Sequence, residues 1–181
     1  MGDKGIVSEI REDEDMPILP DGRRVEMIVN ILGVGGRLNP AQTMEVETNF
    51  ISDEITKLIN NTDDISLKEW YMQNYLNDIN SIQQGDKWRA WYDTLKDYEK
   101  ESFFEGLKDG TNKISVEQPP MYGNTSIDDL ALVYEKYNIK PVTLYVKKWG
   151  KMKKIPTDYV VGDKYIIKLK HHYILVVYKP F

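Results

Sequence analysis

Residues 14–47 read EDMPILPDGRRVEMIVNILGVGGRLNPAQTMEVE, and the rest of the chain is organised around this stretch. Asp15-Met16-Pro17 and Leu19-Pro20-Asp21-Gly22 are turn chemistry, proline pre-setting φ and Asp-Gly tolerating positive φ. Val25, Met27, Val29 and Ile31 alternate with Arg24, Glu26, Ile28 and Asn30, which predicts a strand with one buried face. Gly33-Val34-Gly35-Gly36 follows as a loop where backbone can approach a ligand closely, and Asn39-Pro40 reads as an N-cap with proline at the first helical position. Arg37 thus falls between a glycine-rich loop and a helix N-terminus, a setting suited to a phosphate. On the residues alone, a surface turn carrying one arginine is the commoner reading.

Upstream, residues 5–10 suit a short strand with Ile6, Ser8 and Ile10 on one side. Downstream, a helix is expected over residues 39–61, with Met44, Ile51, Ile55, Leu58 and Ile59 on one face. Ser66-Leu67-Lys68-Glu69 is a capping box that opens a second helix, which Gln84-Gly85-Asp86 ends. Trp88, Trp91, Tyr92 and Leu95 mark a third, and Asp97 caps a fourth, through Phe103, Phe104 and Leu107, that closes at Asp109-Gly110. So many rings could serve base stacking, but at helical spacing they read better as the core of a small helical lobe. Residues 114–116 suit a short strand, and Ser126 and Asp129 cap a helix bearing Leu130, Val133 and Tyr134. A hairpin follows, with residues 142–146 as one arm, Trp149-Gly150 as the turn and Ile155 in the other arm. A strand from Lys164 to Leu169 and an apolar extended stretch over 173–178 complete the chain. The expected class is α+β: a β-rich portion from residues 1–39 and 111–181, with a helical lobe at 40–110 inserted between them.

At 181 residues the chain has room for one domain carrying such a lobe. A net charge of −5 excludes a uniformly basic nucleic-acid-binding module. The charge is uneven: acid gathers at residues 9–15 and through the middle, while Lys147, Lys148, Lys151, Lys153, Lys154, Lys164, Lys168 and Lys170 make residues 140–170 basic. There is no cysteine, which removes disulfides and thiolate metal sites and fits a reducing cytoplasm. No apolar run reaches membrane length and no signal-peptide pattern is present, so no membrane partner is expected. Asp13, Asp15, Asp128 and Asp129 read as turn formers and caps, not as metal ligands. No nucleophile–base constellation of a stand-alone enzyme stands out.

Taken in order, the chain carries Gly2-Asp3-Lys4-Gly5, Glu14-Asp15-Met16-Pro17, Asp21-Gly22, Val29-Asn30, Leu32-Gly33-Val34, Arg37-Leu38-Asn39, Gln42 and Glu45, and Lys168-Leu169-Lys170-His171. This succession resembles the C-terminal part of the β (second-largest) subunit of multisubunit DNA-directed RNA polymerase. It is dense over the first fifty residues or so and returns in the last sixty or so. The resemblance implies that the β-rich portion supplies barrel and hairpin elements of that subunit. It implies that Lys4 lies near the RNA 3′ end and the initiating nucleotide, that Arg37 contacts the triphosphate of the incoming NTP, and that His171 lies close to the initiating nucleotide. For Lys4 the other reading is a flexible terminal lysine. For His171 and its neighbour His172 it is a pair of surface histidines. The resemblance also implies that Mg²⁺ is held by an Asp-x-Asp-x-Asp loop on the partner subunit, a spacing absent from this sequence. The implied partners are a β′-like subunit, the remainder of β, an α-like subunit, the DNA template, the RNA–DNA hybrid and NTPs, and the implied reaction is template-directed RNA synthesis in the cytoplasm. The chain departs from the family at Asp3, where asparagine is usual, and at Gly35-Gly36, where Pro-Ser precedes the arginine. A split or phage-type version suits the Asn, Lys, Ile and Tyr bias. A non-catalytic module that mimics or docks onto a polymerase is the alternative.

Overall fold

The computed structural model describes residues 5–36, 39–119 and 125–167. Helix α2 (Ala41–Asn60) is its axis. Ile51, Ile55 and Ile59, one helical turn apart, are each 0% exposed, and burying each contributes about 1.5–3 kcal/mol. Pro40 takes the N-cap position, one residue later than the expected Asn39, and its carbonyl accepts from Thr43 and Met44.

Three more helices pack on this stripe, and a fourth packs on one of them. In α3 (Ile65–Asp78) the cap is Asp64, whose carboxylate accepts from the Ser66 N–H at 2.9 Å. The expected Ser66–Glu69 box is therefore not the capping pair, and Glu69 instead pairs with Arg89 of the next helix. Helix α4 (Gln84–Tyr92) begins where a helix end was expected. Gln83, at φ 51°, reverses the chain in the left-handed region just before the Gln84-Gly85-Asp86 stretch. Helix α5 (Asp97–Asp109) opens with the Glu99 carboxylate accepting the Lys96 N–H at 2.8 Å and ends on Gly110 at φ 81°. Helix α6 (Ile127–Lys136) has the Ser126–Asp129 capping box that the sequence predicts. Tyr75, Leu76, Ile79, Tyr92, Phe104, Leu107, Leu130 and Val133 complete one continuous core with α2. Trp88 stacks on Tyr92 at 4.8 Å, and Phe103 and Phe104 meet Tyr92 edge-on. Most of the rings are thus core, as their spacing indicates, whereas Trp70 and Trp91 stay exposed.

The hairpin forms as expected, β1 (Val142–Lys148) antiparallel to β2 (Lys151–Tyr159), with Lys148 opposite Lys151 across Trp149-Gly150. Its register shifts between Thr143 and Tyr145. Ile18 exchanges two backbone hydrogen bonds with Tyr145, at 2.7 and 2.9 Å, which attaches the 17–25 turn to β1. Helices and this two-stranded sheet make the described chain α+β.

Several expected strands do not form. Residues 5–10, 25–30, 114–116 and 164–167 lie outside any ladder. A strand needs a neighbour for its N–H and C=O groups; Val25 donates to the Pro17 carbonyl at 2.8 Å, but residues 26–29 have no such partner among the described residues, and Met27, Ile28 and Val29 stay exposed. At 114–117 side-chain amides do the ladder's work: Gln84 donates to the Ser115 carbonyl and accepts from the Glu117 N–H, and Asn80 donates to the Glu117 carbonyl, all at 2.8–2.9 Å. The glycine-rich loop is instead a short helix, α1 (Ile31–Gly36), because Asn30 Oδ1 accepts from the Leu32 N–H at 3.0 Å and caps it. The stretch over 173–178 lies outside the described residues.

Candidate functional site

Lys4, Arg37 and His171 all lie outside the described residues. What is described is the structure around them. Helix α1 precedes Arg37 and α2 follows it a few positions later, so the arginine's segment joins two helices. Residues 160–167, which lead toward His171, run along the first turns of α2. Asn49 Nδ2 donates to the Asp163 carbonyl at 2.7 Å, Lys164 Nζ donates to Gln42 Oε1, and Glu45 accepts from the Tyr165 N–H at 3.1 Å. Gly162 fits only because it has no side chain: a Cβ there would stand 2.2 Å from the Val46 carbonyl oxygen. The same helix turns therefore anchor the flanks of two of the three candidate residues. Gln42 and Glu45 were legible as motif letters, but their task was not, because it spans some 120 positions of sequence.

A charged network ties the amino-terminal turn into this junction. Arg23 pairs with Asp21 at 2.8 Å and with Asp53 at 3.7 Å, Arg24 pairs with Asp13, and Lys113 pairs with Asp163. Hydrogen bonding to Asp21 raises the Arg23 pKa further, so its charge is fixed. Burial pushes the Asp53 carboxyl above its ordinary value, and the neighbouring Asp163 adds to the push against Arg23, Lys113 and Lys57. A carboxyl with a raised folded pKa holds its proton more tightly in the folded state. Its contribution to stability is full at low pH and is lost as pH rises through the folded value. Asp53→Asn is accordingly expected to stabilise the chain at pH 7 and to change little at pH 4, read as Tm at both values. Equal shifts at the two pH values would show that Asp53 acts through packing or pairing instead.

Among the described residues, the hydroxyl pairs near this junction are structural. Ser52 Oγ and the Tyr75 hydroxyl share a hydrogen bond at 2.7 Å, but inside the core, where burial keeps the phenol neutral. Ser126 and Asp129 face each other only as a cap. Among the described residues no group of three or more His, Asp or Glu could hold a metal ion, so they do not fit a Mg²⁺ cage. An open groove of about 600 Å³ lies beside α4 and α5, lined by Trp91, Tyr98, Phe103 and Lys113, and of these only Lys113, through Asp163, touches a candidate segment. No helix among the described residues is long and apolar enough to cross a membrane.

Comparison with known proteins agrees with the motif order. The chain is 31% identical over 173 residues to the DNA-directed RNA polymerase subunit beta of Geotalea daltonii, covering 94% of this chain and 12% of that protein. It is 27% identical over 177 residues to the subunit of the same name from Aquifex aeolicus, with the same two coverages. It is 35% identical over 95 residues to that of Rickettsia typhi, covering 48% of this chain and 7% of the relative. The chain thus spans about an eighth of the length of the first two relatives. The family described as RNA polymerase Rpb2, domain 6, matches residues 1–173, and the chain belongs to that family.

Proposed function

We propose that the chain forms part of the nucleotide and RNA–DNA hybrid surface of a DNA-directed RNA polymerase, and that the reaction it serves is template-directed nucleotidyl transfer in the cytoplasm of a bacterial or phage-infected cell. The observation that carries this reading is the family match across residues 1–173, a range that contains Lys4, Arg37 and His171. Arg37 supplies a planar guanidinium that clamps triphosphate oxygens in two places, Lys4 supplies positive charge beside the RNA 3′ end, and His171 contacts the initiating nucleotide. Mg²⁺, which would neutralise the developing phosphate charge, is held by the β′-like partner subunit. The remainder of β and an α-like subunit complete the assembly. Strand-patterned residues left bare support a chain that other polypeptide completes: Ile6, Val7 and Ile10 near one end, Met27, Ile28 and Val29 in the middle of the turn region, and Tyr165, Ile166 and Ile167 toward the other end.

The test is Arg37→Ala in a polymerase assembled with this chain. A bidentate Arg–phosphate contact contributes about 1.5–3 kcal/mol. The NTP requirement should therefore rise by roughly tenfold or more, with Arg37→Lys restoring part because it keeps the charge and loses the fork. The chain alone with template, NTPs and Mg²⁺ should make no RNA. Lost thermal stability with an unchanged NTP requirement would move Arg37 from the site to the scaffold. Inhibition of an intact polymerase, in place of complementation of one lacking this region, would identify a mimic.

A further inference from the structure

The tip of the β1–β2 hairpin breaks three local rules at one place. Trp149 and Gly150 both have positive φ, 52° and 72°, the two-residue turn that matches the twist of an antiparallel pair. Asparagine, aspartate or glycine usually takes the first of these positions, and a bulky ring in the left-handed region is strained. The flanking pair, Lys148 opposite Lys151, sets like charges across the ladder, which weakens it. The indole is 80% exposed, so it recovers none of this through burial. Such a concentration of locally unfavourable choices is what a functional site looks like.

Charge gathers at the same point. Lys147, Lys148, Lys151, Lys153 and Lys154 crowd the tip, and no Asp or Glu occurs between Glu135 and Asp158, in a chain whose net charge is −5. Lys147 is engaged by Glu14 at 2.8 Å, while the other four form no ion pair among the described residues. Lys148 and Lys153 instead place their ammonium groups 4.8 and 4.6 Å from the centre of the Trp149 ring. These contacts steady the ring and hold positive charge over its face, while the residue as a whole stays 80% exposed.

An open aromatic surface bordered by uncompensated lysines is the chemistry that receives a single nucleic-acid strand: a base stacks on the ring and the adjoining phosphates meet the ammonium groups. We propose that Trp149, with Lys148, Lys151, Lys153 and Lys154, binds single-stranded nucleic acid. An acidic protein surface would use the lysines and leave the strained ring unexplained. A lipid surface needs an apolar face to bury, and the immediate neighbours of Trp149 are lysines and a glycine. The site uses none of Lys4, Arg37 and His171. It rests on the polymerase reading only for which strand it meets in the assembly, since the binding itself belongs to this chain.

The test uses the full chain and a fluorescein-labelled oligo-dT of about twelve nucleotides, read by anisotropy at low salt. Binding is expected in the micromolar range and to weaken steeply with salt. Trp149→Asn suits the turn better than tryptophan does, so Tm should hold or rise while affinity falls about tenfold. Lys148→Gln with Lys153→Gln should flatten the log–log salt slope by about 1.4, which is about 0.7 for each phosphate left without its lysine. Lys108→Gln, which removes one charge from α5, should leave affinity unchanged. Unchanged affinity in Trp149→Asn would overturn the proposal, as would affinity and Tm falling together. So would equal competition by a glutamate peptide or by vesicles of anionic lipid, which would reveal charge attraction or a lipid site. No NTP and no partner subunit is present, so this result and that of Arg37→Ala are read independently.

Discussion

Gly85→Ala is expected to destabilise the chain by about 3 kcal/mol, the upper end of what overpacking costs, and to lower Tm by roughly 6–12 °C at this chain length. Gly85 lies in the first turn of α4, where that helix touches α3. A Cβ added there would stand 1.9 Å from the carbonyl oxygen of Gln73 and 2.8 Å from Asn77 Oδ1. The first of these is backbone inside a helix and cannot rotate away. Relief requires α4 to lift off α3, and that strains every tie between them. Asp86 accepts from Gln73 at 3.1 Å and from Asn77 at 2.9 Å, Arg89 pairs with Glu69, and Tyr92 is wholly buried behind them. The informative comparison is Gly33→Ala in α1, where an added Cβ meets nothing within 4 Å. Alanine is the better helix former by about 1 kcal/mol, so that variant should be neutral or slightly more stable. Urea unfolding followed by circular dichroism reads both. A loss below about 0.5 kcal/mol for Gly85→Ala, the range of an ordinary surface substitution, would mean that the two helices separate easily and that the crossing is not a fixed point of the fold.

Gly162→Ala should act locally. Its Cβ would meet the Val46 carbonyl oxygen at 2.2 Å and the Phe50 amide nitrogen at 2.8 Å, both on the backbone of α2. Residues 160–167 would be pushed away from the helix, and the bonds from Asn49, Gln42 and Glu45 to that segment would lengthen together. The isoleucine stripe of α2 contributes nothing to this contact, so the helical signal should persist. A cost of about 2 kcal/mol on docking raises the open population roughly thirtyfold. Trypsin cleavage after Lys164 under native conditions tracks that population. An unchanged cleavage rate would show that the segment gives way without detaching. The same variant in an assembled polymerase asks whether the docked segment must be held for His171 to serve, because Lys164 and Tyr165 lie a few positions before it.

The helices and the hairpin were legible because their signals are local. The isoleucine stripe of α2, the Ser126–Asp129 box, Gly110 after α5 and Trp149-Gly150 between two alternating runs each act within a few residues, and each has its expected place. What failed depends on partners far away in sequence. The alternation of residues 25–30 states what a strand would bury but not whether a neighbouring strand is at hand. The start of α4 at Gln84 turns on the left-handed Gln83 and on side-chain amides standing in for a ladder at 115–117, which no propensity encodes. At the candidate site the order of motifs pointed to the family. The long-range task of Gln42 and Glu45 and the Arg23–Asp53 contact needed coordinates. Lys4, Arg37 and His171 lie outside the described residues, and the roles proposed for them rest on the family relationship.

The bare strand-patterned segments also bear on supply inside a cell. Ile6, Val7 and Ile10 and then Met27, Ile28 and Val29 offer unpaired backbone with apolar side chains, and an edge of that kind pairs with whatever extended chain it meets first. Under the proposed function, a copy synthesised ahead of the polypeptide that completes it is a substrate for chaperones and proteases, and a copy synthesised in excess is a seed for aggregates. The steady-state amount of this chain is therefore expected to follow the amount of the polypeptide that covers those edges, whatever the strength of its own promoter.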